Sequence, residues 1–495
     1  VIIVGAGIGG LATGLRLISN GFNVSIYEKN NFIGGRVNQV YDNGYKFDAT
    51  ASLTVMPKDY EELFIFSGLD IDDYIDIVEP NYTYKLFDDS GRDMILYKDL
   101  SKMTKEIETK STVCVENYLE FLNSGYEKYE IVDKYFLNSP MTKFNDLFNM
   151  KNIENIMKIS PFSSCYDDIS KYINDELLLN GLAYQTMYVG ISPFEASSIY
   201  TLIPANTQVD GMYYFEGGMY SYIKAITKAF KDLGGKIYTD HEVDNIIVED
   251  NIVKGIATKG KIIKADKVVV NADYRYAINN LIDFDREKYI DINYYQYTCS
   301  IFMLYLVLDQ RFDKLLLHNI LVQPEFKKNI ECIFKGELPE SPTIYIYNPS
   351  SLDRVKSNYQ TLNCMIRVPN LKQMNSEWDM ELVQKMSNCI LDKICGVPGF
   401  ERFKDHIVYE KYLTPMDIKE RFNTTYGAAF GISPYLDATN YFRPSIVDTE
   451  IQKLYYVGDC IHPGAGVSVI IKGSKLVYDE IIKDFFGGRE FGNSC

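Results

Sequence analysis

Tryptophan occurs once in this 495-residue chain and histidine four times. None of the histidines stands at metal-ligand spacing, so no metal site is expected. The nine cysteines form no Cys-x-x-Cys pair, and nine is odd. Reduced thiols in a cytosolic protein fit that pattern better than a disulfide framework. Cations are scarce relative to anions: 51 Lys and Arg against 67 Asp and Glu leave a net charge of −16. That balance excludes the basic footprint that nucleic acid requires. It also removes any global attraction to anionic lipid, although a local basic patch can still dock. No stretch reaches the roughly 18 uncharged apolar residues of a spanning helix. The longest apolar run outside the first residues, 301–308, has the length of a strand. The chain opens directly on an apolar strand, which reads as neither signal peptide nor transit segment. A soluble or peripheral protein is expected, placed in the cytoplasm with peripheral contact on the inner face of the cell membrane as an option.

Tyrosine is what the chain has in excess, with 40 Tyr and 27 Phe. Codon bias in an A/T-rich genome and the lining of a long apolar cavity are both open explanations. The most informative stretch is the first ten residues. An apolar strand, 1–4, runs into Gly5-x-Gly7-x-x-Gly10, an amphipathic helix with Leu11, Leu15 and Ile18 on one face follows, and a second strand, 24–27, ends in Glu28. Gly5 permits the tight turn, Gly7 lets backbone approach a pyrophosphate, and Gly10 allows close helix–strand packing. The helix start offers free N–H donors to an anion, and Glu28 can accept from ribose hydroxyls. Together these parts predict dinucleotide binding.

The length allows two or three domains. Residues 60–200 read mostly helical, for example 113–136, without linker, repeat or low-complexity tract. A helix near 220–233 is ended by Gly234-Gly235. A meander of strands 236–239, 243–248, 252–258 and 267–271 is expected next, then mixed elements with 300–308 as a central strand of another sheet. Strand 454–457 leads through Gly458-Asp459 and a glycine loop into an apolar helix, 467–485. Nucleotide strands near 1, 24, 237 and 455 are too dispersed for one continuous unit. The expected fold is α/β: a Rossmann-like dinucleotide-binding domain assembled from three segments (1–80, 205–285 and 448–495), with an inserted α+β substrate domain and helical region (81–204 and 286–447).

Three features favour FAD over NAD. Gly34-Gly35-Arg36 puts a guanidinium after the second strand, suited to a dinucleotide phosphate. Asp459 can accept from ribityl hydroxyls. The late glycine loop opens a helix whose N-terminus can face the N1/O2 edge of a flavin. No second intact Gly-x-Gly-x-x-Gly is evident, so a dedicated NADPH domain is not expected.

The motifs together resemble the carotenoid-desaturase branch of the amine-oxidase-like flavoproteins, and most the bacterial dehydrosqualene and phytoene desaturases. The matching residues are Val4-Gly-Ala-Gly-Ile-Gly-Gly10, Glu28-Lys29, Gly34-Gly-Arg36 with Asn38, and Phe47-Asp48. Tyr184-Gln-Thr-Met-Tyr-Val-Gly-Ile191, Ser198-Ile-Tyr200, Ile203-Pro204, Gly217-Gly-Met-Tyr220, Gly427-Ala-Ala-Phe430 and His462-Pro-Gly-Ala-Gly-Val467 complete the match, which spans essentially the whole chain. The chain departs from the family at Thr50-Ala51-Ser52, where Gly-Pro-Thr or Gly-Pro-Ser is usual, and at Glu216, where a basic residue is usual. Asp459-Cys460-Ile461 and Ser468 also differ. The resemblance implies FAD as cofactor, with contacts from Gly5, Ala6, Gly7, Ile8, Gly9, Gly10, Glu28, Lys29, Gly34, Gly35, Arg36, Val37, Ala51, Ser52, Val243, Asn271, Gly458, Asp459, Gly466 and Val467.

The activity so implied is desaturation of a long apolar isoprenoid such as dehydrosqualene or phytoene by hydride transfer to flavin N5, with oxygen or a quinone as electron acceptor. Rate must then come mainly from positioning in a long apolar tunnel lined by Tyr, Phe and Met. Alternatives on the same scaffold are a polyene isomerase or saturase and an amine oxidase, and, without catalysis, a prenyl-lipid carrier of the GDP-dissociation-inhibitor type. No catalytic residue is assigned. Glu216 is either a base or a solvated helix-start residue, and His462 is either functional or a cap of its turn. Cys460 does not stand at the spacing of a covalent flavin link. Segment 141–159, with Phe144, Leu147, Phe148 and Ile156 beside Lys143, Lys151 and Lys158, is compatible with a helix on a membrane interface or with a buried amphipathic helix.

Overall fold

The structure, a computed structural model, describes residues 1–283, 293–354, 357–374 and 376–485. The boundary expected between residues 285 and 286 lies outside them, as does the ninth cysteine, Cys495; the other eight are free thiols.

Five short strands form a parallel sheet in the order Leu454–Tyr456, Val268–Val270, Ile2–Val4, Ser25–Tyr27, Lys236–Tyr238. Two of its inner strands are continuous apolar runs, and Ile2, Ile3, Val4 and Val268 to Val270 are all buried, as strands covered on both faces must be. Parallel neighbours need a crossover, supplied between the first two by the helix Ile8–Ser19. That helix packs against the last helix, Val467–Phe485, and against Tyr220–Asp232. The carboxyl ends of Ile2–Val4, Val268–Val270 and Leu454–Tyr456 therefore open side by side, where ligands of open α/β sheets bind.

The expected four-strand meander does not form. Lys236–Tyr238 and Val268–Val270 join the parallel sheet instead, while Asn245–Glu249, Ile252–Thr258 and Lys261–Lys264 make a separate antiparallel sheet. Burial explains the split: the three valines have both faces covered, whereas the Lys261–Lys264 strand is largely exposed.

A second sheet of seven strands runs in the order Ile407–Leu413, Ser300–Leu308, Gln360–Val368, Ile344–Tyr347, His318–Val322, Tyr82–Asp88, Asp93–Tyr97. Every residue of Ser300–Leu308 is buried, and the strand is paired on both sides. Its alternate residues enter two cores, Ile301, Met303, Tyr305 and Val307 on one face and Phe302, Leu304, Leu306 and Leu308 on the other. The hairpin Tyr82–Asp88 and Asp93–Tyr97 interrupts the region expected to be mostly helical; it buries Tyr84, Leu86 and Phe87 on its first strand and, in alternation, Met94 and Leu96 on its second. The helix expected over 113–136 is Val115–Val132, extended by a wider turn through Asp133–Leu137, and it packs on Leu202–Asp210.

Candidate functional site

One cavity of about 2110 Å³, counting the part open to solvent, runs from the glycine turn to the face of the seven-stranded sheet. Its nucleotide end is built by local sequence. Gly5 holds φ +96°, and a Cβ on Gly10 would sit 2.2 Å from the Gly5 carbonyl oxygen, so turn and helix can touch only without side chains. Gly7 starts the helix with no side-chain cap, and the first turn holds no acidic residue. The positive end of the helix is thus left for an external anion. Glu28, buried at the end of its strand, accepts from the Ala6 N–H (2.9 Å) and from the Asn30 backbone and side chain (2.9 and 3.0 Å). Lys29 donates to Asn423 (2.7 Å) across the same opening, and burial lowers its pKa.

Asn271 is a clasp as well as a wall. Its Oδ1 accepts from Gly10 N–H (2.8 Å), its Nδ2 donates to the Val457 carbonyl (2.9 Å), and its own N–H donates to the Val4 carbonyl (2.7 Å). Side chain and backbone of this one residue thus tie the ends of Ile2–Val4 and Leu454–Tyr456 and the start of the helix Ile8–Ser19 to the end of its own strand.

The other half of the cavity carries an ion pair. Arg36 lies 2.6 Å from the Asp459 carboxylate and donates to the Ala429 carbonyl at 2.8 Å. Burial works against the charged guanidinium, but Asp459 beside it outweighs that and raises its pKa. Arg443 fixes the Asp459 backbone by donating to its carbonyl at 2.5 Å. Beyond it, Gly466 (φ +115°) and Val467 open the last helix onto the cavity. The far chamber is walled by Tyr188, Val189, Ile203, Ile301, Tyr345, Met365 and Phe430. Arg367 also lines it; its guanidinium lies 4.8 Å from the Phe430 ring centroid, and its Nε has no hydrogen-bond partner among the described residues.

Of the sequence-assigned contacts, Ala6, Gly9 and Gly10 stand behind the wall, and the other seventeen line this cavity. Ala6 holds Glu28, and Gly10 is engaged by Asn271. His462, Glu216 and Cys460 are not among its lining residues. His462 is buried and donates through Nε2 to the Ser139 carbonyl (2.7 Å); burial pushes its pKa down to about 4. Glu216 accepts from the Arg354 N–H (3.1 Å). The buried Cys460 thiol, pushed well up by burial, points to Asp273 (3.8 Å).

Beyond Ser52, sequence reasoning missed the polar wall of the chamber. Ser52 and Tyr345 hydroxyls are 2.9 Å apart, and Tyr345 OH lies 2.7 Å from Nδ1 of His318. His318 is 1% exposed, and burial alone pushes its pKa down to about 3. Nothing in the run Leu315-Leu-Leu-His-Asn-Ile-Leu321 signals this; only the register of Ile344–Tyr347 against His318–Val322 brings the groups together.

The family described as flavin containing amine oxidoreductase matches residues 8–469. A 4,4'-diapophytoene desaturase (4,4'-diaponeurosporene-forming) of Staphylococcus aureus strain Newman is 32% identical over 502 aligned positions, covering 99% of each chain. Among solved structures, an oxidoreductase from Methanosarcina mazei superposes with a TM-score of 0.65 at 15% identity, covering 97% of this chain and 99% of that one. Putrescine oxidase bound to putrescine gives 0.64 at 13%, covering 97% and 98%. At such identities the structures establish a shared fold, the α/β flavoprotein fold read from the sequence.

Proposed function

The chain belongs to the flavin-containing amine oxidoreductase family, with FAD as its cofactor, and from that premise we propose that it desaturates a long apolar isoprenoid of the dehydrosqualene or phytoene type. The Staphylococcus aureus relative acts on 4,4'-diapophytoene by its name, and the alignment covers 99% of each chain. The observation that carries the reading is the continuity of the cavity, from an uncapped helix start into a chamber whose walls are mostly apolar and aromatic.

The residues present fit FAD. The open turn at Gly5 and Gly7 and the helix start take the pyrophosphate, while Glu28 takes the adenosine ribose, with Lys29 and Val243 beside it. Gly34, Gly35, Arg36 and Val37 would hold the middle of the dinucleotide. Asp459, with Gly458, would accept from the ribityl hydroxyls. The helix start at Gly466 and Val467 and the turn at Ala51 and Ser52 would hold the flavin. Bound FAD supplies the two-electron hydride acceptor. The protein supplies the geometry: a polyene has no polar handle, so the chamber walls must orient it and exclude water. Oxygen or a quinone is the electron acceptor in this reading.

A polyene partitions into lipid, and one surface suits that source. Helix Met150–Ile159 is built inside out: Asn152 and Asn155 are buried, while Met150 (76%), Ile153 (43%) and Met157 (69%) face outward. Phe144, Phe148 and Phe162 (80%) add to the patch, and Lys143, Lys151 and Lys158 are exposed around it. An apolar patch rimmed by cations is the pattern of interfacial docking. No helix of the described residues is long and apolar enough to cross a membrane.

Anaerobic incubation of the FAD-loaded enzyme with squalene-type and phytoene-type polyenes tests the reading. Bleaching of the oxidised flavin band with formation of a longer conjugated chromophore is expected. Absence of bleaching with every isoprenoid overturns it. Isomerised product without net oxidation assigns the scaffold to an isomerase.

A further inference from the structure

Three polar groups stand in a series that packing alone does not explain: Ser52, half-buried at the chamber wall, and the buried Tyr345 and His318. Ser52 and Tyr345 line the chamber, and His318 lies behind them. The contacts run in series, Ser52 Oγ to Tyr345 OH at 2.9 Å and Tyr345 OH to His318 Nδ1 at 2.7 Å. Both fall within hydrogen-bond distance for groups that exchange protons. The His318 ring is enclosed by tyrosines, with ring centroids 5.8 Å from Tyr84, 6.0 Å from Tyr345 and 5.5 Å from Tyr347. Its buried Nε2 has no hydrogen-bond partner among the described residues. A buried polar atom without a partner costs free energy, so its retention in an aromatic cage points to a use.

We propose that Ser52, Tyr345 and His318 form a proton relay that takes up the proton released in desaturation, with His318 Nδ1 as its terminus. The inference rests on the desaturase reading, because a C–H to C=C conversion must dispose of one hydride and one proton. The hydride carries two electrons to the flavin. The adjacent C–H bond breaks heterolytically, and its electron pair becomes the new carbon–carbon double bond. Its proton adds to Ser52 Oγ while the Ser52 proton passes to Tyr345 and the Tyr345 proton to Nδ1. Both hydroxyls end as they began, and only the imidazole gains charge. When the acceptor, oxygen or a quinone, removes the hydride equivalent, the proton returns by the same path to complete the hydrogen peroxide or quinol product. Burial keeps the ring neutral at ordinary pH, so its lone pair stands ready. Ser52 and Tyr345 touch the reacting volume; His318 acts through them.

Two measurements test this. Anaerobic stopped-flow bleaching of the FAD-loaded protein by a phytoene-type polyene is expected to slow about 100-fold in Tyr345→Phe and in His318→Phe. The solvent deuterium isotope effect is expected to vanish in both, with FAD content unchanged and Ser52→Thr retaining the rate that Ser52→Ala loses. Wild-type rates and an unaltered isotope effect in both variants overturn the relay. Independently of activity, 15N NMR of histidine-labelled protein is expected to show His318 as the Nε2–H tautomer, with its Nδ1 signal moving in Tyr345→Phe. An Nδ1–H tautomer overturns the relay, because that nitrogen then has no lone pair to offer. If wild-type enzyme is bleached by no polyene, the desaturase reading fails, and the tautomer still decides the geometry.

Discussion

The Arg36 guanidinium and the Asp459 carboxylate lie 2.6 Å apart, joining the second glycine turn to the last strand across the middle of the cavity. Each was assigned from sequence as a cofactor ligand in its own right; in the structure each is also the other's partner. Asp273 lies near enough to add a second negative charge to the surroundings of Arg36. Removing Arg36 therefore leaves the Asp459 carboxylate without its cation, under the repulsion of the buried Asp273. Arg36→Ala is expected to destabilise the fold by about 2 kcal/mol or more, between the values of exposed and buried pairs. It is also expected to weaken FAD binding roughly 10- to 100-fold through the lost charged hydrogen bonds. The double variant Arg36→Ala/Asp459→Ala should lose less stability than the sum of the single losses. Urea unfolding and flavin content after gel filtration read the two effects, and strict additivity would sink the coupling.

Asn271 shows a second division of labour. Asn271→Ala leaves the Gly10 N–H and the Val457 carbonyl without the partners they now have. An apoprotein destabilised by about 1–3 kcal/mol is expected, with reduced flavin retention as a consequence of a loosened turn. An apoprotein that melts like wild type yet holds no FAD would make Asn271 a plain ligand and remove the clasp.

The parts legible in sequence are those whose chemistry is local. The turn at Gly5, Gly7 and Gly10, the acid at Glu28 and the helix opened by Gly466 each carry their function in a few neighbouring residues, so spacing revealed them. Val268–Val270 has the same composition as an antiparallel strand, and only its two parallel neighbours define it. The Arg36–Asp459 pair and the Ser52, Tyr345 and His318 series are set by sheet order and register. Glu216 and His462 were suspected because they sit in motifs, yet their side chains turn to Arg354 and Ser139. A motif fixes where the backbone passes, and tertiary packing decides where the side chain points.

Asp48 gives a pH dependence with a definite sign. It is buried, and burial pushes its pKa from 3.8 to about 6, although Tyr220 N–H, Met219 N–H and Tyr347 OH all donate to it. The folded protein therefore binds more protons than the unfolded chain between about pH 4 and pH 6. Stability from this group falls as pH rises through that window, by about 3 kcal/mol in all for a shift of roughly two units. Asp59 is shifted the same way, so the comparison must isolate Asp48. The difference in unfolding free energy between wild type and Asp48→Asn is expected to shrink by that amount from about pH 4 to about pH 7. A difference independent of pH contradicts the assignment.

The outward apolar face of Met150–Ile159 makes the membrane reading testable without touching the cavity. Met150→Ser/Met157→Ser/Phe162→Ser removes three of the most exposed apolar side chains of the patch while leaving the buried Asn152, Asn155 and Ile159 in place. Because these side chains contribute little to the core, the variant should unfold within about 0.5 kcal/mol of wild type. Binding to vesicles is expected to weaken by at least 10-fold, since each large apolar group withdrawn from lipid forfeits about 1.5–3 kcal/mol of its transfer free energy. The rate of flavin bleaching with a detergent-dispersed polyene should be unchanged, because none of the three lines the cavity. Unaltered co-sedimentation with vesicles would show that this face does not meet lipid. A loss of bleaching in detergent would instead place the patch at the entrance to the chamber.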